Sequence, residues 1–125
     1  MMELNSSELK KYSRQLILKN IGIPGQKKLF NSKVLVVGAG GLGCPLMLYL
    51  AYSGVGNLGI VDNDRVEISN LSRQVLFTNK DLGKFKVNVS KNFIKKINKK
   101  ILVKTFLKKI TKENIHKIAK KYDFI

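Results

Sequence analysis

The run Val37-Gly38-Ala39-Gly40-Gly41-Leu42-Gly43 sets Gly38, Gly40 and Gly43 in a G-x-G-x-x-G spacing, with an extra glycine at Gly41. Glycines in this pattern let the chain turn tightly and bring backbone N–H groups and a helix N-terminus up to a phosphate. Asp62 follows 19 residues after Gly43, where a carboxylate accepts hydrogen bonds from ribose hydroxyls. Alone, the pair fits any NAD, FAD or other nucleotide binder, or glycines serving only a close helix–strand contact. The segment Asp62-Asn63-Asp64-Arg65-Val66-Glu67-Ile68-Ser69-Asn70-Leu71-Ser72-Arg73-Gln74, followed by Gly83-Lys84-Phe85-Lys86, narrows the reading. A dinucleotide's single pyrophosphate needs little beyond the helix N-terminus. Asn70, Arg73 and Lys86 near the same turn suit a larger anion, such as a nucleotide triphosphate. Plain solvation is the alternative for Arg73 and Lys86.

These residues need elements to hold them. Asn5 followed by Glu8 predicts a helix start, with the helix running to about Asn20 and Leu9, Tyr12, Leu16 and Ile17 on its apolar side. Gly22, Pro24 and Gly25 predict a turn, and Gln26–Asn31 a short second helix. Val34–Val37 reads as a strand buried on both faces, and Leu42–Ser53 as a helix closed by Gly54 and Gly56. Leu58–Val61 is the next strand, and Asn63 to about Gly83 a long loop with a single helical turn. Lys84–Asn98 is amphipathic through Val87, Phe93, Ile94 and Ile97. Ile101–Leu107 reads as a third strand, Lys112–Lys120 as a helix and Tyr122–Ile125 as the opening of a fourth strand. Strands alternating with helices predict an α/β, Rossmann-like three-layer fold with a mainly parallel sheet.

The chain has 125 residues, enough for one domain, and 44% are apolar, which supports a packed core. Its apolar runs are far shorter than the roughly 20 residues that cross a bilayer. No targeting segment is evident, since Arg14, Gln15, Lys19 and Asn20 break the first apolar stretch. Cys44 has no cysteine to pair with and no Cys/His cluster offers zinc ligands. The expectation is a soluble, cytoplasmic protein. Twenty-four basic residues against 8 acidic ones give +16, which suggests a polyanion partner. From Lys80 to Lys121, however, 15 lysines are spread at helical spacings among apolar residues rather than packed into one block. A solvated lysine-rich surface is favoured, with no nucleic acid or membrane partner expected. Cys44 reads as a small packing residue, although the start of a helix can lower a thiol pKa. His116 reads as a surface residue, and Arg14 as a cation that could simply pair on its own helix.

Six motifs occur in a fixed order: Tyr12-Ser13-Arg14-Gln15, Gly38-Ala39-Gly40-Gly41-Leu42-Gly43, Gly54-Val55-Gly56, Asp62-Asn63-Asp64, Asn70-Leu71-Ser72-Arg73-Gln74 and Gly83-Lys84-Phe85-Lys86. In this the sequence resembles the ThiF/MoeB/HesA family, bacterial relatives of ubiquitin-activating enzymes, from about Leu4 to Ile125. The resemblance implies an adenylyltransferase. Such enzymes use MgATP to adenylate the C-terminal glycine carboxylate of a ubiquitin-like sulfur carrier, for thiamine, molybdopterin or related sulfur transfer. By this resemblance Gly41 lies against the nucleotide, within the motif of Gly38, Gly40 and Gly43. Asp62 holds the ribose, with Asp64 beside it, and Asn70, Arg73 and Lys86 contact the phosphates. Arg14 would reach the phosphates of the neighbouring subunit in a homodimer. Catalysis would rest on Arg73, Lys86 and Arg14, because carboxylate and triphosphate are both anions and fixed cations must offset their repulsion.

The resemblance implies that residues 1–125 are the N-terminal, nucleotide-binding part of such a domain, with a helical extension over about 1–31. Family members run well beyond this length. A magnesium-binding aspartate is expected beyond residue 125, and zinc only in a longer chain. The 125 residues alone are expected to bind ATP weakly, to leave Phe124 and Ile125 on an open sheet edge, and not to catalyse. The alternatives are an NAD- or FAD-dependent oxidoreductase using the same glycine turn, or a basic nucleic-acid-binding protein.

Overall fold

The structure is a computed structural model that describes residues 3–125. Its N-terminal part is a helical arm. Helix α1 (Ser6–Lys11) begins with a reciprocal cap: Asn5 Oδ1 accepts the Glu8 N–H at 2.9 Å, and Glu8 Oε2 accepts the Asn5 N–H at 3.0 Å. The helix does not run on to Asn20. The chain bends at Tyr12 and continues as α2 (Ser13–Leu16) and a series of turns. Tyr12 explains the bend, because it is buried, packs edge-on to Phe30 with ring centroids 5.4 Å apart, and accepts a hydrogen bond from Asn98. Ile17, expected on the apolar side, is 73% exposed. Helix α3 (Gly22–Asn31) starts before Gln26, so Pro24 lies inside it rather than in a turn. The first turn of a helix needs no N–H from proline.

The rest is a parallel sheet with helical crossovers: β1 (Lys33–Val37), α4 (Gly43–Ser53), β2 (Asn57–Val61), α5 (Lys86–Ile97), β3 (Leu102–Phe106) and α6 (Ile115–Ala119). The strand order is β1-β2-β3, all parallel, with Val36 beside Ile60 and Ile60 beside Thr105. After α6 the chain returns to the free side of β1. There the Leu35 N–H donates to the Phe124 carbonyl at 2.9 Å, and Phe124 bridges Val34 in parallel. This is the start of the expected fourth strand, present as a single bridge. Strand order therefore reverses beside β1, and open α/β sheets bind ligands outside the carboxyl ends of the strands at such a point.

Side chains alternate between the two faces of each strand. Val36, Leu58 and Ile60 join Met47, Ala51 and Ile94 in the main core beneath α4 and α5. Leu35 and Val61 face the other way, against Ile118 and Tyr122. Contrary to expectation, β1 is not buried along its whole length, because Val37 is 46% exposed. The long loop carries two 3₁₀ turns rather than one helical turn, at Ile68–Asn70 and Asn79–Asp81. Helix α6 does not begin at Lys112: Asn114 Oδ1 accepts the Thr111 N–H, which holds the preceding residues in a turn. Among the described residues, no helix is long and apolar enough to cross a membrane.

Candidate functional site

The glycine turn sits where β1 passes into α4. Gly38 has φ +99°, a conformation open to glycine but strained for other residues, and its N–H donates to the Val61 carbonyl at 2.7 Å. A Cβ on Gly43 would overlap the Gly38 carbonyl oxygen, so the third glycine permits the close helix–strand contact. Around Gly40, by contrast, a Cβ would meet nothing within 4 Å. One side of the turn is packed and the other is open.

Asp62, at the end of β2, fastens this turn to the next loop. Its Oδ2 accepts the Ala39 N–H at 2.8 Å and its Oδ1 accepts the Asp64 N–H at 2.7 Å. Each carboxylate oxygen retains a second acceptor site, which suits the two hydroxyls of a ribose.

Asn70 and Arg73 are joined through a turn. Asn70 is buried, its Oδ1 accepts the Glu67 N–H at 2.9 Å, and its carbonyl accepts the Arg73 and Gln74 N–H groups. The turn presents Arg73, whose Cγ and Cδ lie 3.7 Å from where a Gly41 Cβ would stand. Its guanidinium is exposed and donates to the Ser69 carbonyl at 2.9 Å. Lys86 is the first residue of α5 and is only 5% exposed. Its ammonium has one ion-pair partner, the exposed Asp64, at 3.8 Å. A buried ammonium is costly unless closely paired, so this site favours an added anion. Sequence alone could not reveal that Lys86 is enclosed.

Arg14 is not brought into this cluster. It is exposed on α2, and among the described residues no carboxylate lies within ion-pair distance of it. The adjacent Gln15 shows why. Its Nε2 donates to Gln26 Oε1 at 2.9 Å and to the Ser53 carbonyl at 3.1 Å, while Gln26 donates to the same carbonyl at 2.9 Å. This clamp docks α2 on the C-terminal end of α4, whereas the glycine turn is at its N-terminal end. Eleven residues of helix separate the two ends, or about 16 Å. Gln15 belongs to the Tyr12–Gln15 motif, but nothing in its residue type signalled a buried clamp with Gln26.

Two further lysines escaped the sequence reading. Lys108 and Lys109, just after β3, line a cavity of about 250 Å³ beside Gly38, Asp62 and Asn63. Their place at the carboxyl end of a strand was the available signal. Cys44 is fully buried, and burial pushes its thiol pKa up against the lowering effects of the Leu76 N–H and Lys86. It is a packing residue, not an activated thiol. Gln74 Oε1 and Ser90 Oγ are buried without hydrogen-bond partners. Among the described residues, no group of three His, Cys, Asp or Glu side chains gathers to hold a metal.

The chain is similar to known proteins along nearly its whole length. The chain is 47% identical over 123 residues to "Adenylyltransferase and sulfurtransferase MOCS3" of Culex quinquefasciatus, covering 98% of this chain and 28% of that protein. It is 43% identical over 124 residues to "Sulfur carrier protein adenylyltransferase" of Thermus thermophilus, covering 99% of this chain and 46% of that protein. The solved structure of Escherichia coli MccB with ATP superposes with a TM-score of 0.78 at 38% identity, over 91% of this chain and 35% of that one. The chain thus spans less than half the length of these relatives. The ThiF family model matches residues 12–125, a span that takes in the glycine turn, Asp62, the Asn70–Arg73 turn and Lys86, and the chain belongs to the ThiF family.

Proposed function

We propose that this chain is the nucleotide-binding part of an adenylyltransferase that uses ATP to activate the C-terminal glycine carboxylate of a ubiquitin-like sulfur carrier. Residues 1–125 form the ATP-binding half, and the arm over about 1–31 is its helical extension. The observation that carries this reading is the pair of cations at the open turn: Lys86, enclosed with one distant carboxylate, and Arg73, lying along Gly41. A nicotinamide or flavin site has no need of both. The names of the relatives, adenylyltransferases of sulfur carriers, support the same choice.

In this reading Gly38, Gly40, Gly41 and Gly43 admit the nucleotide, and Asp62 accepts the ribose hydroxyls. Asn70 shapes the turn that aims Arg73, and Arg73 and Lys86 hold the phosphates. A carrier carboxylate oxygen attacks the α-phosphorus, the bond to the β-phosphate oxygen breaks, and pyrophosphate leaves. The negative charge it gathers falls to Arg73 and Lys86, and no side-chain nucleophile is needed.

Magnesium needs one or two carboxylates together with phosphate oxygens. Here Asp62 is engaged by two backbone N–H groups, and Asp64 faces Lys86. The described residues do not complete a magnesium site by themselves. When bound, the ion would neutralise phosphate charge.

Arg14 acts in trans in this reading, in a homodimer. Its docking about a helix length from its own glycine turn supports that role, as do exposed apolar neighbours: Ile17 at 73%, Leu18 at 51% and, on α4, Tyr49 at 70%. The pathway, thiamine, molybdopterin or a related one, is defined by the carrier, and the reaction belongs in the cytoplasm.

The test is ATP–pyrophosphate exchange driven by candidate carriers, in the protein that carries these residues. Arg73→Ala or Lys86→Ala should slow exchange by about 10²–10³-fold, the loss of one preorganised charge-stabilising donor. Mixing Arg14→Ala with Arg73→Ala subunits should restore some active sites. Near-normal exchange in both phosphate-site variants would overturn the reading.

A further inference from the structure

The lysines that look dispersed in the sequence converge on one side of the molecule. Strand alternation puts Lys33 with Leu35, and Lys104 with Phe106, on the face away from α4 and α5, and Lys104 pairs in register with Gly59. Gly59 leaves room there for the Tyr122 ring, which would clash with any Cβ at that position. A cavity of about 450 Å³ begins at this part of the sheet and extends to α5, lined by Lys33, Lys104 and Lys121 and, from α5, Lys91 and Lys95. A second cavity, of about 250 Å³, is lined by five lysines that include Lys104, Lys108, Lys117 and Lys121. The two share Lys104 and Lys121. Lys108 in turn lines the cavity beside Asp62. The shared lysines make the first two cavities one groove, whose far end at Lys108 adjoins the cavity beside Asp62.

The charge in this groove is of one sign. No acidic residue lines either of these two cavities. Asp123, near the groove's lower end, is occupied by the Lys33 N–H at 2.9 Å. Lys95 is turned onto the Lys99 and Ile101 carbonyls at 2.8 Å each, while Lys104, Lys108, Lys117 and Lys121 are exposed. Neither cavity lining contains arginine, the side chain whose planar fork most often reads base edges, so contact here would be by charge and not by base. Lysine ammoniums act as point charges, and a line of them matches an evenly charged phosphate chain better than an acidic protein surface.

The geometry points to this groove as a binding site for the phosphodiester backbone of a nucleic-acid strand, read without regard to base sequence. The inference is independent of the adenylation reading, because the groove's centre at Lys104 and Lys121 is not part of the glycine-turn site. The sequence pattern favoured a solvated surface and no nucleic-acid partner because the contributing lysines come from β1, α5, β3, the loop after it and α6, and only the fold brings them together.

The experiment measures fluorescence anisotropy of the 125-residue chain with a labelled oligouridylate of about 12 nucleotides, within the span that one small basic groove tracks. Binding should weaken linearly in log–log form as salt rises, and excess ATP should not displace the strand. Lys104→Glu with Lys121→Glu should cost at least about tenfold in affinity and lower the salt slope by about 2, one for each lost phosphate contact. Lys10→Glu with Lys28→Glu, the same change of net charge on the helical arm, should cost less than about twofold. The milder pair Lys104→Gln with Lys121→Gln guards against loss of folding and should show the same order. Equal losses from the groove and arm pairs would assign the binding to overall charge and overturn the proposal. So would polyglutamate competing as well as RNA at equal charge, which would make the groove a protein-docking surface.

Discussion

On one face of the sheet, α4 and α5 bury Val36, Leu58 and Ile60 together with Met47, Ala51 and Ile94, all at most 4% exposed. On the other face Leu35 and Val61 are covered by α6, a helix of five residues that contributes Ile118, and by Tyr122. The first face is closed by apolar packing, and it is the face that fixes the glycine turn at the head of α4. The second carries only a small apolar patch, and cations surround it. The same strands thus serve two purposes: rigid support for the glycine turn on one side, and an open charged surface on the other.

Substitutions should differ in cost between the two faces. The largest is expected at Gly43, where the close approach of α4 to β1 leaves no room for a methyl group. Gly43→Ala should destabilise the fold by more than about 3 kcal/mol, since backbone must move to admit the side chain. Urea denaturation followed by circular dichroism measures this. A loss below about 1 kcal/mol would show that the turn is loose.

Next come two isoleucines, one in the core on each side of the sheet. Ile60→Ala should cost about 3–4 kcal/mol and Ile118→Ala about 1–2 kcal/mol, because a cavity in a closed core collapses less than one beside solvent. Equal costs in the same denaturation series would erase the distinction between the faces.

The smallest effect concerns the arm, which is tied to the segment after α5 by Lys100 Nζ donating to Glu8 Oε1 at 2.6 Å. That hydrogen bond, with the Asn5 N–H, holds the Glu8 carboxyl below its ordinary pKa of 4.5. A lowered pKa means that the stabilisation is complete above pH 4.5 and is lost as pH falls through the lower folded value. Glu8→Gln should therefore lower Tm slightly at pH 7 and flatten the Tm profile below pH 4.5. Parallel profiles for both proteins in that range would remove Glu8 from the account.

Legibility followed the same division. The closed face was readable because strands and helices that bury apolar residues announce themselves by periodicity, as in Val34–Val37, Leu42–Ser53 and the Val87, Ile94 stripe. The glycine turn and Asp62 were readable because their backbone demands restrict residue type. The break at Tyr12 was not, since it depends on contacts with Phe30 and Asn98 that are distant in sequence. Nor was the clamp of Gln15, Gln26 and Ser53, because glutamine is equally at home on a surface. The enclosure of Lys86 and the gathering of lysines in the groove likewise depend on which elements the fold places side by side.

In the proposed function, Lys86 and Arg73 make the glycine turn a triphosphate site. Isothermal titration of the chain with ATP, AMP and NAD, repeated for Lys86→Ala, tests it most directly. ATP should bind more tightly than AMP or NAD, and Lys86→Ala should weaken ATP by about tenfold or more, the scale of one charge-assisted phosphate contact, while leaving AMP nearly unchanged. Tighter binding of NAD than of ATP, or an ATP affinity indifferent to Lys86, would contradict it.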